Sequence, residues 1–410
     1  MSARKDALPS PSVASVMILA GGTGGHIYPG LAVANALQAR GVAVQWMGAS
    51  GAMEETIVPR YRIPLATIVI SGVRGKNWTT RLAAPMRICR AVLAAITLLK
   101  RHRPGVVVSF GGFAAGPGGI AARCLGIPLV VHEQNRVAGL TNRVLARIAV
   151  RVLTGFPGSF AKEEVVGNPI RQELAEIAPP TARTPHPGAL RILVLGGSQG
   201  ALALNRAVPA AFAAMATATA DVTIWHQAGQ NGFEQTQQAY RSAAISARVV
   251  PFIENMVDAY TWADVVICRA GASTLAELCA VGVASILVPF GAAVDDHQSR
   301  NAEYLVAAGA ALLIKQSPDL AQHLQAAIMT CRDDPPRRLS MANAARALAK
   351  PKAAEQIAAI IVQECQPPPG SGSHKARSLQ QKGAYLPPSS DKDRHPSMAL
   401  AAPILGGELP

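Results

Sequence analysis

Short runs of apolar residues recur along the chain, separated by stretches of helical periodicity and often closed by glycine-rich turns. In the first half they fall at 16–20, 42–47, 65–70, 105–110, 128–132 and 150–153. In the second half they fall at 191–195, 222–226, 248–253, 264–268, 284–289 and 310–315. Runs that are apolar throughout, rather than alternating, predict strands covered on both faces, as in a parallel sheet between helices. The pattern pauses at 173–189, where Pro179-Pro180, Pro185 and Pro187 mark a linker. The chain is therefore predicted to be α/β, with Rossmann-like domains at 13–172 and 190–365 facing across a cleft. The last helical segment, 352–364, is free to pack back on the first domain. Residues 1–12 and 366–410 read as disordered tails.

The first run leads into Gly21-Gly22-Thr23-Gly24-Gly25-His26, with a helix predicted from Leu31 to Arg40. Glycines remove the Cβ atoms that would keep phosphate from backbone N–H groups, and they allow positive φ. His26 adds a group that titrates near neutrality at the mouth of such a loop. The plan repeats at Gly196-Gly197-Ser198-Gln199-Gly200-Ala201, where a diphosphate would meet a helix N-terminus with the Ser198 hydroxyl as one donor. Gly111–Gly119 forms another such turn, read either as a receptor for an acceptor's pyrophosphate or as a packing turn. His132-Glu133-Gln134-Asn135 follows a strand, where α/β sites collect; a buried, satisfied polar cluster is the alternative. At 267–277, Ser273 and Thr274 followed by Glu277 fit a capping box, and Glu277 fits equally a carboxylate that accepts ribose hydroxyls. Asp295-Asp296-His297-Gln298 is a polar loop able to read sugar hydroxyls.

Charge divides the halves. Residues 1–178 carry a net +12, residues 179–366 are neutral and 367–410 carry +2. A cationic first domain points to a large anionic partner there, either a membrane surface or nucleic acid. The segment 74–103 interleaves Trp78 and many apolar residues with Arg81, Arg87 and Arg90. Its uncharged stretch is far short of the ~20 residues of a membrane span, and suits contact with anionic lipid. An ordinary core helix with a solvated basic face is the alternative. The six cysteines form no metal-spaced cluster and read as free, buried thiols in a reducing compartment. No GxxxxGK[ST] and no third glycine of GxGxxG is present, which argues against P-loop hydrolysis and nicotinamide or flavin binding. No acidic residue sits at the point expected after the first loop, which further weakens the nicotinamide or flavin reading. Aromatics, at 4%, are too few for base stacking, so no nucleic-acid partner is expected.

Taken in order, Gly21–His26 with Pro29, Gly111–Pro117, His132–Asn135 with Ala138–Asn142, Gly167–Arg171, Gly196–Ala201, Arg269–Glu277 and Asp295–Gln298 resemble the MurG family of peptidoglycan glycosyltransferases. The resemblance spans roughly 15–362 and implies a GT-B fold. It implies transfer of GlcNAc from UDP-GlcNAc to the 4-hydroxyl of MurNAc in lipid I, giving lipid II with inversion. Donor contacts would come from Thr23, Gly24, Gly25, Asn135, Arg171, Ser198, Ile253 through its backbone, Ala272, Ser273, Thr274, Leu275, Ala276, Glu277 on the ribose, and Gln298. His26 would be the candidate base. No cofactor and no metal is expected, since Asp-x-Asp is missing from the span of the resemblance, occurring only at Asp391-Lys392-Asp393 in the tail, and helix N-termini can meet the leaving UDP. The partners implied are UDP-GlcNAc, lipid I, the anionic cytoplasmic face of the bacterial inner membrane, where the protein would sit peripherally, and other cell-wall synthesis proteins. Arg136 stands where this family often has a small residue. A UDP-sugar 2-epimerase on the same fold is the rival reading, and it leaves the cationic first domain unexplained.

Overall fold

The computed structural model describes residues 15–70, 84–183, 188–197, 200–215, 221–290 and 296–365. The tails expected at 1–12 and 366–410 lie outside the described residues, as do Trp78, Arg81, Ser198 and Asp295.

Two parallel sheets organise the chain. The first contains β1 (Ser15–Ala20), β2 (Ala43–Ala49), β3 (Leu65–Ile68), β4 (Val106–Gly111), β5 (Leu129–Glu133), β6 (Arg151–Thr154) and β7 (Glu164–Val165), in the order β3-β2-β1-β4-β5-β6-β7. The second contains β8 (Leu190–Leu195), β9 (Val222–Gln227), β10 (Ala247–Val250), β11 (Val265–Cys268), β12 (Ala284–Leu287) and β13 (Ala311–Leu313), in the order β10-β9-β8-β11-β12-β13. Both are doubly wound, with the order reversing between β1 and β4 and again between β8 and β11. These are the two Rossmann-like domains that the sequence predicts. Only β7 was not anticipated, two residues being too short to register as a pattern. Strands predicted through 253 and 289 end at Val250 and Leu287, just before Pro251 and close to Pro289, residues that cannot donate to a ladder.

Apolar runs bury both faces, as their lack of alternation requires. Val16, Ile18 and Ala20 face the helices Gly24–Gln38 and Ala353–Cys365, while Met17 and Leu19 face the core formed with the helices Ala84–His102 and Ala115–Cys124. The last helix does return to the first sheet: Ile357 and Ile361 are fully buried there, Arg40 donates to the Glu355 carbonyl, and Arg151 pairs with Glu364. The linker region is not featureless, since a short helix Gln172–Ala175 buries Leu174 within it. Three cysteines depart from the expected burial: Cys365 is half-buried, and Cys89 and Cys124 are exposed, because each falls on the outward side of its helix.

Candidate active site

Glycine loops leave the carboxyl ends of β1 and β4, and of β8 and β11, at the reversal of strand order where α/β folds hold ligands. In the first loop positive φ is confined to Gly22, at +84°. Thr23 is extended, and its carbonyl accepts from the His26 and Ile27 amides at 3.1 and 3.2 Å. The helix therefore begins at Gly24, not at Leu31 as the sequence predicts, and His26 occupies its first turn. Gly24, Gly25 and Pro29 disfavour a helix by propensity, yet Pro29 is buried early in it at the cost of one hydrogen bond. The second loop lies directly on the first: a Cβ on Gly112 would come within 2.3 Å of the Gly21 carbonyl oxygen. Gly118 and Gly119 are packing glycines, against Leu19 and Leu145.

His26 Nδ1 lies 3.2 Å from the Gly21 carbonyl and 3.3 Å from Thr23 Oγ1. A carbonyl only accepts, so these partners assign the ring hydrogen to Nδ1 and leave Nε2 as the basic nitrogen. Burial lowers the pKa of His26 below its ordinary 6.5; Glu133 and the Gly21 hydrogen bond oppose this, while His297 of the second half adds to it. The imidazole is therefore neutral at pH 7.

His132, Glu133 and Gln134 are buried and Asn135 is half-buried, in a cluster more organised than either sequence reading. Glu133 accepts from the Asn135 amide and side chain, the Gly139 amide and Asn142 Nδ2, at 3.0 to 3.2 Å. It thereby fixes Asn135 at the end of β5. Gln134 donates to the Phe110 carbonyl, and His132 Nε2 to the Gly167 carbonyl. Burial pushes the His132 pKa down to about 4, so it is a neutral structural group.

In the second half, the helix Leu202–Ala214 opens just after Gly200 with no side-chain cap, leaving N-terminal amides available to an anion. A cleft there is lined by Gly200, Leu202, Arg206, Arg269, Phe290 and Gln298. The helix Ala272–Val281 starts from Gly271, with no side-chain cap hydrogen bond. The capping-box reading is thus excluded: Glu277 accepts from Tyr260 Oη and Arg171 instead, each at 3.0 Å. Ser273 Oγ is buried without a partner among the described residues. The Ile253 amide donates to Gln227 Oε1 at 3.3 Å, and Gln298 Oε1 accepts from the Phe290 amide at 2.9 Å.

The halves meet at these residues. Helix Gly24–Gln38 touches helix Ala272–Val281. The fully buried Asn301 accepts from the Arg136 amide at 2.9 Å and donates to Asn135 Oδ1 at 3.1 Å. Arg171, from just before the short helix at 172–175, reaches Glu277. Thr23, Gly24, Gly25, His26, Asn135, Arg171 and the segment 272–277 are therefore brought to one junction between the sheets. Arg87 and Arg90 lie away from it, exposed on helix Ala84–His102.

Three residues that shape the site escaped the sequence reading: Glu54, Tyr260 and Asn301. Each acts by side-chain contact across more than fifteen positions, which no local spacing reveals. Glu54 lies after β2, past the point where a Rossmann fold places its ribose-binding carboxylate, and turns inward to the glycine loop. Among the described residues, no group of three or more His, Cys, Asp or Glu is placed to hold a metal, and no helix is long and apolar enough to cross a membrane.

Residues 16–154 match the glycosyltransferase family 28 N-terminal domain, and residues 191–357 its C-terminal domain. A Xanthomonas euvesicatoria protein named UDP-N-acetylglucosamine--N-acetylmuramyl-(pentapeptide) pyrophosphoryl-undecaprenol N-acetylglucosamine transferase is 59% identical over 379 residues, covering 92% of this chain and 86% of its own. A Xylella fastidiosa protein of the same name is 58% identical over 350 residues, or 85% of this chain and 96% of its own. The crystal structure of Acinetobacter baumannii MurG superposes with a TM-score of 0.75 at 39% identity, covering 85% of this chain and 99% of that one.

Proposed function

From the premise that the chain belongs to glycosyltransferase family 28, and within it to the MurG family, we propose how its site carries out the transfer. The enzyme moves N-acetylglucosamine from UDP-GlcNAc to the N-acetylmuramyl-pentapeptide of lipid I, forming lipid II, the last cytoplasmic step of peptidoglycan precursor synthesis. Glu277 binds the ribose. Its carboxyl is held by Tyr260 and Arg171, which favours a ligand role over a cap. Asn135, Gln298, the backbone of Ile253, the loop 23–25 and the segment 272–276 complete the donor pocket, together with Ser198.

His26 Nε2 takes the proton from the acceptor's 4-hydroxyl as that oxygen attacks the anomeric carbon. The new C–O bond forms as the bond to the diphosphate breaks on the opposite face, inverting the centre. UDP leaves with the electron pair. The amide-bearing starts of helices Leu202–Ala214 and Ala272–Val281 meet its growing charge. The contact between helices Gly24–Gln38 and Ala272–Val281 supports this assignment.

Acceptor lipid reaches the first domain from an anionic membrane surface. Helix Ala84–His102 buries Ala91, Ala95 and Leu99 and leaves Met86, Ile88 and Leu93 exposed beside Arg87 and Arg90. Cations flanking exposed apolar side chains match such a surface.

UDP release from UDP-GlcNAc, measured with and without a lipid I analogue, tests the reading. Release only with acceptor, and a β-1,4 disaccharide product, is expected. Turnover without acceptor would replace the transferase with an epimerase or hydrolase.

A further inference from the structure

Glu54 is fully buried and stands outside every role assigned above. Its Oε1 accepts from the Ala49 amide at 2.8 Å, at the end of β2, and its Oε2 accepts from the Gly22 amide at 3.0 Å. The space is made for it: a Cβ on Gly21 would lie 2.1 Å from Oε1, and one on Gly48 would lie 2.5 Å from its Cγ. A buried carboxyl excluded from water and given two backbone donors is an organised feature, since an unpaired one would be strongly unfavourable.

The amide it grips belongs to the same peptide unit as the carbonyl that holds the imidazole. The Gly21–Gly22 peptide gives its N–H to Glu54 and its C=O to His26 Nδ1, 3.2 Å away. Carboxylate, peptide and imidazole thus form one chain of hydrogen bonds. A peptide whose N–H is bound by an anion carries more negative charge on its oxygen, and such chains reinforce one another in a low dielectric. A more negative Gly21 oxygen favours the ring hydrogen on Nδ1 and keeps the Nε2 lone pair aimed outward. In a serine-protease triad the carboxylate does this by direct contact with the histidine. Here a peptide stands between them.

We propose that Glu54 is a positioning residue for the transfer, fixing the tautomer and orientation of His26 through the Gly21–Gly22 peptide. The proposal rests on the reading of His26 as the base. Glu54→Gln keeps the shape but must turn an NH2 group toward either Gly22 N–H or Ala49 N–H, so the loop loses one of its two anchors.

The experiment combines kinetics with 15N NMR of the His26 ring in the full-length protein. Wild type is expected to carry hydrogen on Nδ1. Glu54→Gln is expected to lower kcat about 10- to 100-fold, as for a misplaced catalytic group, with the donor KM little changed. In a His26→Ala background Glu54→Gln should add little further loss, because the two act as a unit. Hydrogen on Nε2 in the wild type overturns the proposal, as do full turnover by Glu54→Gln or losses that multiply in the double variant. If Glu54→Gln does not fold, Glu54→Asp, which keeps the charge but shortens the reach, is read the same way. Near-normal turnover by His26→Ala removes the base reading alone; the hold on the ring is then decided by whether the Nδ1–H signal moves in the Glu54 variants, and an unmoved signal overturns it.

Discussion

Tyr260 gives its phenol hydrogen to Oε2 of Glu277 at 3.0 Å, while Arg171 binds the other oxygen of the same carboxyl. Burial, and then the Glu277 charge, raise the Tyr260 pKa well above its ordinary 10, so the phenol remains a donor throughout the working range. The carboxyl is thus fixed in place by two donors. Glu277→Ala should raise the donor KM with the fold intact, and Tyr260→Phe should raise it by less, leaving kcat nearly unchanged in both. Steady-state kinetics with UDP-GlcNAc as the varied substrate checks this. An unchanged donor KM in Glu277→Ala would remove the ribose role.

His26→Ala should lower kcat by about 10²–10⁴, the usual contribution of a general base, with donor affinity largely retained. Because burial lowers the pKa of His26, its neutral form persists to below pH 6.5, and loss of rate through its protonation belongs on the acid side of that value. A kcat profile from pH 5 to 9 reads this directly. An acid limb above 6.5 would argue against a buried, neutral imidazole.

Two other histidines make the fold acid-sensitive. Burial pushes His132 to about 4 and His226 to about 3, whereas both return to about 6.5 on unfolding. The unfolded chain then binds more protons below pH 6.5, so their contribution is complete above that pH and is lost as pH falls toward the folded values. Unfolding free energy should be lower at pH 5 than at pH 7 by about 3–4 kcal/mol from this pair. Urea unfolding at the two pH values gives the difference, and ring NMR should find both imidazoles still neutral at pH 5.

Replacing Arg87 and Arg90 with Gln should weaken binding to vesicles containing anionic lipid and leave turnover of a water-soluble acceptor analogue unchanged. Each cation near such a surface contributes about 1 kcal/mol, so the double change is expected to cost about tenfold or more in vesicle affinity at low salt. Equal losses on both substrates would return these residues to a structural role.

Much of the architecture could be read from the chain because parallel strands leave a strong local mark: Val106–Gly111 and Val265–Cys268 are buried on both faces and apolar nearly throughout. The glycine loops were legible for a similar reason, since positive φ at Gly22, Gly111, Gly197 and Gly200 asks for that residue type. The first helix starts before the point its residues predict because propensity is outweighed where the loop closes by backbone hydrogen bonds to Thr23. Contacts made only by folding left no trace. Glu54 lies 32 positions from Gly22, and Asn301 lies 165 from Arg136. The Glu277 ambiguity was local by nature, and the distant Arg171 and Tyr260 resolve it against the cap.

The helix Ala353–Cys365 also governs the order in which the protein is completed. It is translated after both sheets, yet Ile357, Ala358 and Ile361 fill a core beside β1 and β4, and Arg40 and Arg151 await its backbone and its Glu364. The domain that leaves the ribosome first is therefore the last to be sealed. Until then it presents an apolar face along helix Gly24–Gln38, the same helix that carries His26. A fragment ending at residue 172 would keep that face uncovered, so in this enzyme the loop bearing the proposed base rests on a core that the helix Ala353–Cys365 has to close.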